Sequence, residues 1–420
     1  MNILLTTDAF PPVCGGSGWS TFELARALRG RGHALTIVRP RPGRPAGARE
    51  VSYDALRIIE FGAPAPNVPY VRNYFKNEKL YRDLAAFLTT LIAAERFDIV
   101  HGQHVLTCVP SIDAAERSGI PSVCTVRDYW PVCYWSDLIH TRDEVALCPG
   151  CSAGMMTRCV RPHAGRAWPA ALPMIPYMRA NLARKRRGLA AASAIVAVSS
   201  TIAADLRARA PELARARFVI IPNPVDVERL RAAAAASPRP LEAPYALYLG
   251  KIAPNKGTSL LPDVMKRADL PWPLIVAGDG PERALLEMAA ARTGRDIRFT
   301  GWMERTEAVR WLGHAALLIF PSRGPESLSR VLIEASALGV PIAAMKTGGT
   351  ADIIDDERTG LLSGTVDELV EDVRRLAADA SLRRRLRDAA RVHAAQRFDT
   401  RVVISRVEQL YRDLQQESTR

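Results

Sequence analysis

Short apolar runs alternate with amphipathic stretches along both halves of the chain. In the first half the runs read NILLTTD, ALTIV, FDIVHGQ, PSVCTV and AIVAVS, and in the second half YALYLG, PLIVAG, IRFTG, LLIF and PIAAM. The stretches with helical periodicity lie near 19–32, 81–94, 203–216, 257–268, 281–292, 306–312 and 329–338. Strands that alternate with helices predict an α/β protein with a parallel sheet in each half.

The length of 420 residues predicts two domains, because a single core rarely grows so large. The segment IPNPVD at 221–226 interrupts the alternation, and a tail that reads as helical breaks near Phe398. We therefore predict a first domain, a linker, a second domain and a separate last helix over 1–225, 226–243, 244–398 and 399–420.

Composition is typical of a soluble globular protein, with 48% hydrophobic residues and a mean hydropathy of -0.04. No charged leader with an apolar stretch and cleavage site follows Met1, so we expect no signal peptide. The longest mildly apolar stretch, 189–204, is shorter than the roughly 18 to 20 residues of a membrane span. These features predict a cytoplasmic protein.

The net charge of +13 is concentrated in two stretches without acidic residues, 26–49 and 161–187. In the second stretch Trp168, Met174 and Tyr177 lie among the cations, a mixture that suits an anionic membrane surface. An ordinary solvated face explains the pattern equally well. No nucleic-acid-binding motif accompanies the charge, so we do not expect nucleic acid as a partner.

Two glutamates in PSRGPESLSRVLIEASALGVP are the first candidates for chemistry. Glu326 follows the apolar run LLIF in a turn broken by Gly and Pro, and Glu334 lies in the predicted helix beyond it. Ligands of open α/β sheets bind at the carboxyl ends of strands. The spacing therefore places both acids at such an end.

Glycines and lysines follow other predicted strands. Gly15 and Gly16 precede a predicted helix, where free backbone N–H groups and the helix dipole attract anions. A structural tight turn explains this pair equally well. Two lysines in GKIAPNKG, Lys251 and Lys256, could neutralise a diphosphate, or they could be ordinary surface cations. GDGPE and TGGT add two more glycine turns. With the loops that carry Lys251 and Glu326 they make four second-half loops at the same strand ends, which indicates a cleft.

In their order along the chain these residues resemble glycosyltransferase family 4, the retaining enzymes of GT-B fold. The matching motifs are GG at Gly15–Gly16, H-x-x-H at His101 and His104, PNPVD at 222–226, GK....KG at 250–257, AGDGPE at 277–282, FTGW at 299–302, PS...E.......E at 321–334 and TGGT..I at 347–353. The resemblance implies two Rossmann-like domains that face each other across a cleft, with the last helix returning to the first domain.

The resemblance also implies roles for individual residues of the second domain. Glu334 would hold the ribose hydroxyls of a nucleotide sugar, and Glu326 would reach the donor sugar or the transition state. Lys251 and Lys256 would stabilise the leaving diphosphate without a metal ion. The resemblance further implies a nucleotide-binding surface from the glycine turns and from backbone amides, formed by Gly15, Gly16, Gly250, Gly278, Gly280, Leu328, Ser329 and Arg330.

The sequence departs from the family pattern at three places. Lys251 stands where arginine is usual, and Glu326 opens E-S-L-S in place of E-G-F-G. The usual T-x-H-D reads T-V-R-D, and Arg127 cannot act as a base because its guanidinium stays protonated. Donor identity therefore stays open. Arg127 keeps its place in the candidate catalytic set, and His104 and Asp128 are the candidate acceptor-side groups.

Four of the seven cysteines are clustered, at Cys133, Cys148, Cys151 and Cys159. C-x-x-C with two further thiolates suits tetrahedral zinc, and some family members carry a similar cluster. An iron–sulfur cluster, or reduced or disulfide-linked thiols, are the alternatives. A metal here would order an insertion at about 130–165 near the acceptor face. Cys14, Cys108 and Cys124 are expected to be isolated thiols.

The expected reaction transfers a hexosyl unit from a nucleotide diphosphate sugar, with UDP the first candidate, to a hydroxyl of a carbohydrate or lipid-linked acceptor. The product would belong to bacterial surface polysaccharide or glycolipid synthesis, at the inner face of the membrane. Three alternatives stay open: hydrolysis by the two acids, a nucleotide-sugar epimerase of similar fold, and a catalytically impaired scaffold that binds sugar nucleotides.

Overall fold

A computed structural model of the protein describes residues 1–68, 71–139 and 147–419. Its strands are β1 Asn2–Thr6, β2 Ala34–Pro42, β3 Gly47–Tyr53, β4 Leu56–Ala63, β5 Ile99–Gly102, β6 Ser122–Val126, β7 Ala194–Ala197, β8 Phe218–Ile220, β9 Ala246–Leu249, β10 Leu274–Ala277, β11 Ile297–Gly301, β12 Leu317–Phe320, β13 Ile342–Met345 and β14 Leu361–Ser363. Its helices are α1 Gly16–Gly30, α2 Val71–Tyr74, α3 Leu80–Glu95, α4 Val105–Ser118, α5 Ala153–Ala164, α6 Trp168–Ala171, α7 Met174–Ala190, α8 Ser200–Arg209, α9 Val227–Ala236, α10 Leu261–Ala268, α11 Arg283–Ala291, α12 Arg305–His314, α13 Arg330–Leu338, α14 Val366–Ala378, α15 Ala380–Arg397 and α16 Thr400–Thr419.

The chain divides into two compact units. The first unit comprises Met1–Asp137, Pro149–Pro224 and Thr400–Arg420. The second unit comprises Leu138–Cys148 and Val225–Asp399. The residues that we expected to act as a linker, 226–243, begin with helix α9, and they count with the second unit. Helix α16 packs against α1 within the first unit.

The sheet of the first unit has eight strands in the order β3-β4-β2-β1-β5-β6-β7-β8. All neighbouring pairs are parallel except β3 with β4. The order runs outward from β1 in both directions, so β1 and β5 form the topological switch point where α/β sheets bind ligands. Apolar side chains cover both faces, with α1 and α16 on one and α3 and α4 on the other.

The sheet of the second unit has six parallel strands in the order β11-β10-β9-β12-β13-β14. Its switch point lies between β9 and β12. Buried residues of β9, β10, β12 and β13 pack with α10, α14 and α15 to form its core. The predicted fold class, α/β with a mostly parallel sheet in each half, is confirmed.

Some elements escaped the sequence pattern. The hairpin β3–β4 was missed because GAREVSY carries charged and mostly exposed residues in place of an apolar run. Strands β8 and β14 were missed because each has only three residues. The expectation that Cys108 and Cys124 are isolated thiols was wrong. They lie on α4 and β6, which pack together, and form a buried disulfide with Cα atoms 5.6 Å apart.

Candidate functional site

The loop after β9 carries both predicted lysines. Lys251 is exposed, and its carbonyl oxygen accepts a hydrogen bond of 2.7 Å from the Tyr248 hydroxyl. Lys256 ends a short 3₁₀ turn, and Gly257 follows with a φ of +64°. A Cβ at Gly257 would lie 1.9 Å from the carbonyl oxygen of Pro321. Glycine therefore lets the lysine loop lie directly against the end of β12.

Lys256 and Glu326 meet at the switch point of the second unit. Lys256 Nζ lies 2.6 Å from Glu326 Oε1, and the Ser322 hydroxyl donates to the same oxygen over 2.5 Å. Glu326 is 8% exposed. The backbone of Glu326 is also fixed, because Gly349 N donates to Glu326 O over 2.7 Å. A Cβ on Gly348 would lie 2.1 Å from that oxygen, so only glycine allows this close approach. The result is a preorganised cation–carboxylate pair.

Glu334, on α13, is bound by two arginines. Arg305 donates from both terminal nitrogens, at 2.7 Å to Oε2 and 2.5 Å to Oε1, and Arg330 Nε donates to Oε1 over 2.6 Å. The carboxylate side chain is 2% exposed. Burial alone would raise the pKa of Glu334, but the two guanidinium groups outweigh it and hold the pKa below its usual 4.5. Sequence reasoning missed Arg305, since it lies on a different helix.

The predicted glycines of this unit serve the packing of its loops. A Cβ on Gly278 would lie 1.8 Å from Gly250 O, and one on Gly280 would lie 2.1 Å from Ile252 O. These glycines let the loops after β9 and β10 touch through their backbones. Leu328 is buried and Ser329 is the N-cap of α13, without a hydrogen bond from its side chain to that helix. The first N–H groups of a helix lack intrahelical partners, so this end suits an anion.

In the first unit, His104 lies at the switch point beside the end of β1. Its Nδ1 is 3.0 Å from Thr7 Oγ1, and the ring is 9% exposed. Burial, and then Arg127, lower the pKa of His104 to about 3. His101 is bonded on both ring nitrogens, to the Tyr411 hydroxyl and to Thr125 Oγ1, each at 2.6 Å. His101 therefore serves the core, where it ties β5 to α16.

Arg127 is a buried structural residue of this unit. Its Nε donates to Asn223 Oδ1 over 2.9 Å and its Nη1 donates to Gln103 O over 3.0 Å. It thereby connects the ends of β5 and β6 with the segment before α9. These bonds give Arg127 a positioning role in addition to its positive charge.

Asp128 lies with Asp8 and Lys185 in a cluster of buried and half-buried charges, and of these three the sequence pointed only to Asp128. Asp128 Oδ1 accepts from Trp130 N over 2.8 Å, and burial raises the pKa of Asp128. Burial also raises the pKa of Asp8 to about 7, with nearby Asp128 adding to the rise. Burial lowers the pKa of Lys185 to about 8, although the negative charges of Asp128 and Asp8 act to raise it. Asp8 lies two residues beyond the end of β1, so its position at a carboxyl end was the available signal.

The Gly15–Gly16 turn starts α1. Gly15 is the N-cap, and its carbonyl oxygen accepts from Gly18 N and Trp19 N at 3.1 and 3.3 Å. No described atom lies within 4 Å of a Cβ built on Gly15. Internal packing therefore does not require glycine at this position, unlike Gly278 and Gly280. Both glycines are exposed, as an anion site requires.

The predicted zinc site is not formed by the described residues. Within the described ranges, no group of three or more His, Cys, Asp or Glu side chains is placed to hold a metal ion. Cys133 Sγ donates to Asp137 Oδ1 over 3.8 Å, and Cys151 Sγ donates to Val132 O over 3.4 Å. Cys148 counts with the second unit, whereas Cys133, Cys151 and Cys159 count with the first. Zinc binding by these four cysteines therefore stays a prediction.

The basic stretch 161–187 is partly internal. Lys185 is 6% exposed, Arg184 forms an ion pair with Glu78, and Arg186 lies 3.1 Å from Glu212. Three of its cations therefore face acids from elsewhere in the same unit. In the described part of the chain, no helix is both apolar enough and long enough to cross a bilayer.

Two family profiles match the chain. "Glycosyltransferase Family 4" matches residues 14–229 and "Glycosyl transferases group 1" matches residues 231–393. The chain belongs to glycosyltransferase family 4. This result confirms the resemblance inferred from the motifs.

Curated relatives agree with this assignment. A 2-deoxystreptamine N-acetyl-D-glucosaminyltransferase of Niallia circulans is 34% identical over 161 residues, which span 36% of this chain and 41% of that protein. The match thus covers less than half of that relative. A glycogen synthase of Mycobacterium tuberculosis is 26% identical over 98% of this chain and 94% of its own.

Solved structures show the same fold. Anabaena Alr3699/HepE in complex with UDP has a TM-score of 0.65 at 18% identity, over 98% of this chain and all of that one. Sucrose-phosphate synthase of Thermosynechococcus elongatus has a TM-score of 0.68 at 19% identity, with 98% of each chain covered. The fold class is therefore that of GT-B glycosyltransferases.

Proposed function

We propose that this glycosyltransferase is a retaining, metal-independent hexosyltransferase that uses a nucleotide diphosphate sugar, with UDP as the first candidate base. The observation that carries the proposal is the Lys256–Glu326 pair at the switch point of the second unit. Lys256 lies 2.6 Å from the Glu326 carboxylate. The pair therefore places a positive charge for the diphosphate beside a negative charge for the donor sugar.

Lys256 would stabilise the diphosphate as the glycosidic bond breaks. A preorganised cation at a developing anion contributes about 2.7–4 kcal/mol to catalysis. Lys251, exposed on the same loop, would add a second positive charge. The start of α13, from Leu328 to Arg330, would offer backbone N–H groups to the same phosphates.

Glu326 and Glu334 would take the sugar and the ribose. Ser322 and Lys256 hold Glu326 on one oxygen, which leaves its other oxygen for a hydroxyl of the donor sugar. Glu334 would accept the ribose hydroxyls after Arg305 releases part of the carboxylate. The UDP complex of the Anabaena neighbour supports uridine as the first base to test.

The first unit would bind a hydroxyl acceptor at the carboxyl ends of β1, β5 and β6, where His104 and Asp128 lie. A carbohydrate or lipid-linked acceptor in surface polysaccharide or glycolipid synthesis remains our proposal. The partly exposed cations of 161–187 support peripheral binding to an anionic membrane at the cytoplasmic face.

The test is a thermal-shift titration with UDP-, GDP- and ADP-sugars, followed by an assay for released nucleotide with and without candidate acceptors. We expect stabilisation by one nucleotide series and its loss in Lys256→Met. Stabilisation retained in Lys256→Met would contradict the assignment of the phosphate site. Conversion of the donor without an acceptor would favour the epimerase, and tight binding without any turnover would favour the scaffold.

A further inference from the structure

Three side chains at the switch point of the first unit carry buried polar atoms that have no hydrogen-bond partner among the described residues. Within residues 1–68, 71–139 and 147–419, no group hydrogen bonds to His104 Nε2, to either side-chain amide atom of Gln103, or to Asp8 Oδ1. Gln103 is 0% exposed. Burying a polar atom without a hydrogen-bond partner is unfavourable, and native structures rarely leave several such atoms together. Their grouping points to a ligand that would complete them.

The groups belong to one small region. Gln103 N donates to Thr6 O over 2.9 Å, and Leu106 N donates to Asp8 Oδ2 over 3.0 Å. Thr7 and His104 are bonded through their side chains. The ends of β1 and β5 and the first turn of α4 thus hold these side chains against each other.

Thr7 determines which nitrogen of His104 carries the proton. The Thr7 hydroxyl has one hydrogen, and it donates that hydrogen to Ala9 O over 2.8 Å. Thr7 Oγ1 can therefore only accept from His104, so Nδ1 carries the proton. Nε2 is left as a bare acceptor. Because burial keeps the pKa of this ring at about 3, His104 stays neutral near pH 7. It therefore accepts a hydrogen bond from a donor without taking up the donor's proton.

We infer that His104 Nε2 accepts a hydrogen bond from a hydroxyl of a neutral polyol acceptor, with Gln103 and Asp8 Oδ1 binding adjacent hydroxyls. Thr7 is the positioning residue that holds the required tautomer. The inference rests on the proposed transferase function. Nε2 accepts, so the ligand must bring a hydrogen to it, which an ionised carboxylate does not, and an anionic ligand would add negative charge beside Asp8 and Asp128. Lys185 and Arg127 already offset the local carboxylates, which favours a hydroxyl over an ammonium group.

The direct test is nitrogen NMR of the full chain labelled with ¹⁵N-histidine. The seven histidines include His104, whose signals are assigned by their loss in His104→Gln. We expect the unprotonated nitrogen of His104 to be Nε2 in the wild type and in Thr7→Ser, and both tautomers to be populated in Thr7→Val. Methyl α-D-glucopyranoside, methyl α-D-mannopyranoside and myo-inositol are the probes. At least one should shift the Nε2 resonance, whereas inorganic phosphate should not.

A kinetic test uses the same variants. With a polyol that serves as acceptor, Thr7→Val should lower kcat/KM for the acceptor about tenfold, as expected for one lost hydrogen bond. KM for the donor should not change, and Thr7→Ser should restore the rate. The serine variant is the matched control because it keeps the hydroxyl and loses only a methyl group.

Several results would overturn the inference. One is an unprotonated Nδ1 in the wild type, another is a response to phosphate but to none of the three polyols, and a third is equal loss of activity in Thr7→Ser and Thr7→Val. Failure of the wild type to bind any sugar nucleotide would instead contradict the proposed function. In that case the His104 resonances and their response to polyols still decide the inference.

Discussion

Glu334→Ala tests whether the Arg305–Glu334–Arg330 cluster stabilises the second unit. The substitution leaves two guanidinium groups without their shared carboxylate, and the Arg330 side chain is only 6% exposed. Removing one partner of a buried ion pair costs about 3–5 kcal/mol. We expect the lower end, about 3 kcal/mol, because the Arg305 side chain is 26% exposed and can turn toward water.

The assay is thermal unfolding near pH 7, measured by scanning calorimetry. For a domain of this size 1 kcal/mol corresponds to about 2–4 °C, so Tm of the second unit should fall by roughly 6–12 °C. Glu371→Ala is the matched control, since Glu371 pairs with Arg374 on the surface with its side chain 55% exposed. Such surface pairs contribute about 0–1 kcal/mol. Equal Tm changes for Glu334→Ala and Glu371→Ala would refute the reasoning.

The pH dependence gives an independent check. The folded-state pKa of Glu334 lies below its ordinary value of 4.5, so its stabilising contribution is present above about pH 4.5 and is lost as pH falls through the lower folded value. The Tm difference between wild type and Glu334→Gln should therefore shrink in acid. If this Tm difference stays constant down to the lowest pH at which the protein folds, the charge of Glu334 is not the source of the stabilisation.

Three further changes separate binding, catalysis and backbone packing. Lys256→Met should lower kcat by at least about 100-fold, because the positive charge at the leaving group is lost. Rescue by Lys256→Arg in the same assay would support charge as the cause, and unchanged turnover in Lys256→Met would exclude the assigned role. Arg305→Ala should tighten UDP binding up to about tenfold in calorimetry, because it frees part of Glu334 for ribose; weaker binding would instead make Arg305 a direct nucleotide contact. Gly348→Ala should destabilise the protein by about 1–3 kcal/mol in denaturant unfolding, because its Cβ would lie 2.1 Å from Glu326 O; an unchanged midpoint would mean that the loop relaxes freely.

Much of the fold followed from local periodicity. Runs such as LLIF and AIVAVS became buried strands β12 and β7, because burial on both faces of a parallel sheet demands continuous apolar residues. The order of motifs also identified the family. The Lys256–Glu326 pair was anticipated as two candidates at strand ends, since parallel strands bring their carboxyl ends to one edge.

The tertiary structure alone decided which polar groups meet. Arg305 and Glu334 are separated by 29 residues, and Thr7 and His104 by 97, so no local pattern could pair them. Lys185 looked like the other cations of its basic stretch until packing buried it near Asp8 and Asp128. The physical reason is that spacing along the chain controls periodicity and turns, whereas strand order and helix packing bring together distant side chains and determine their charges and proton positions.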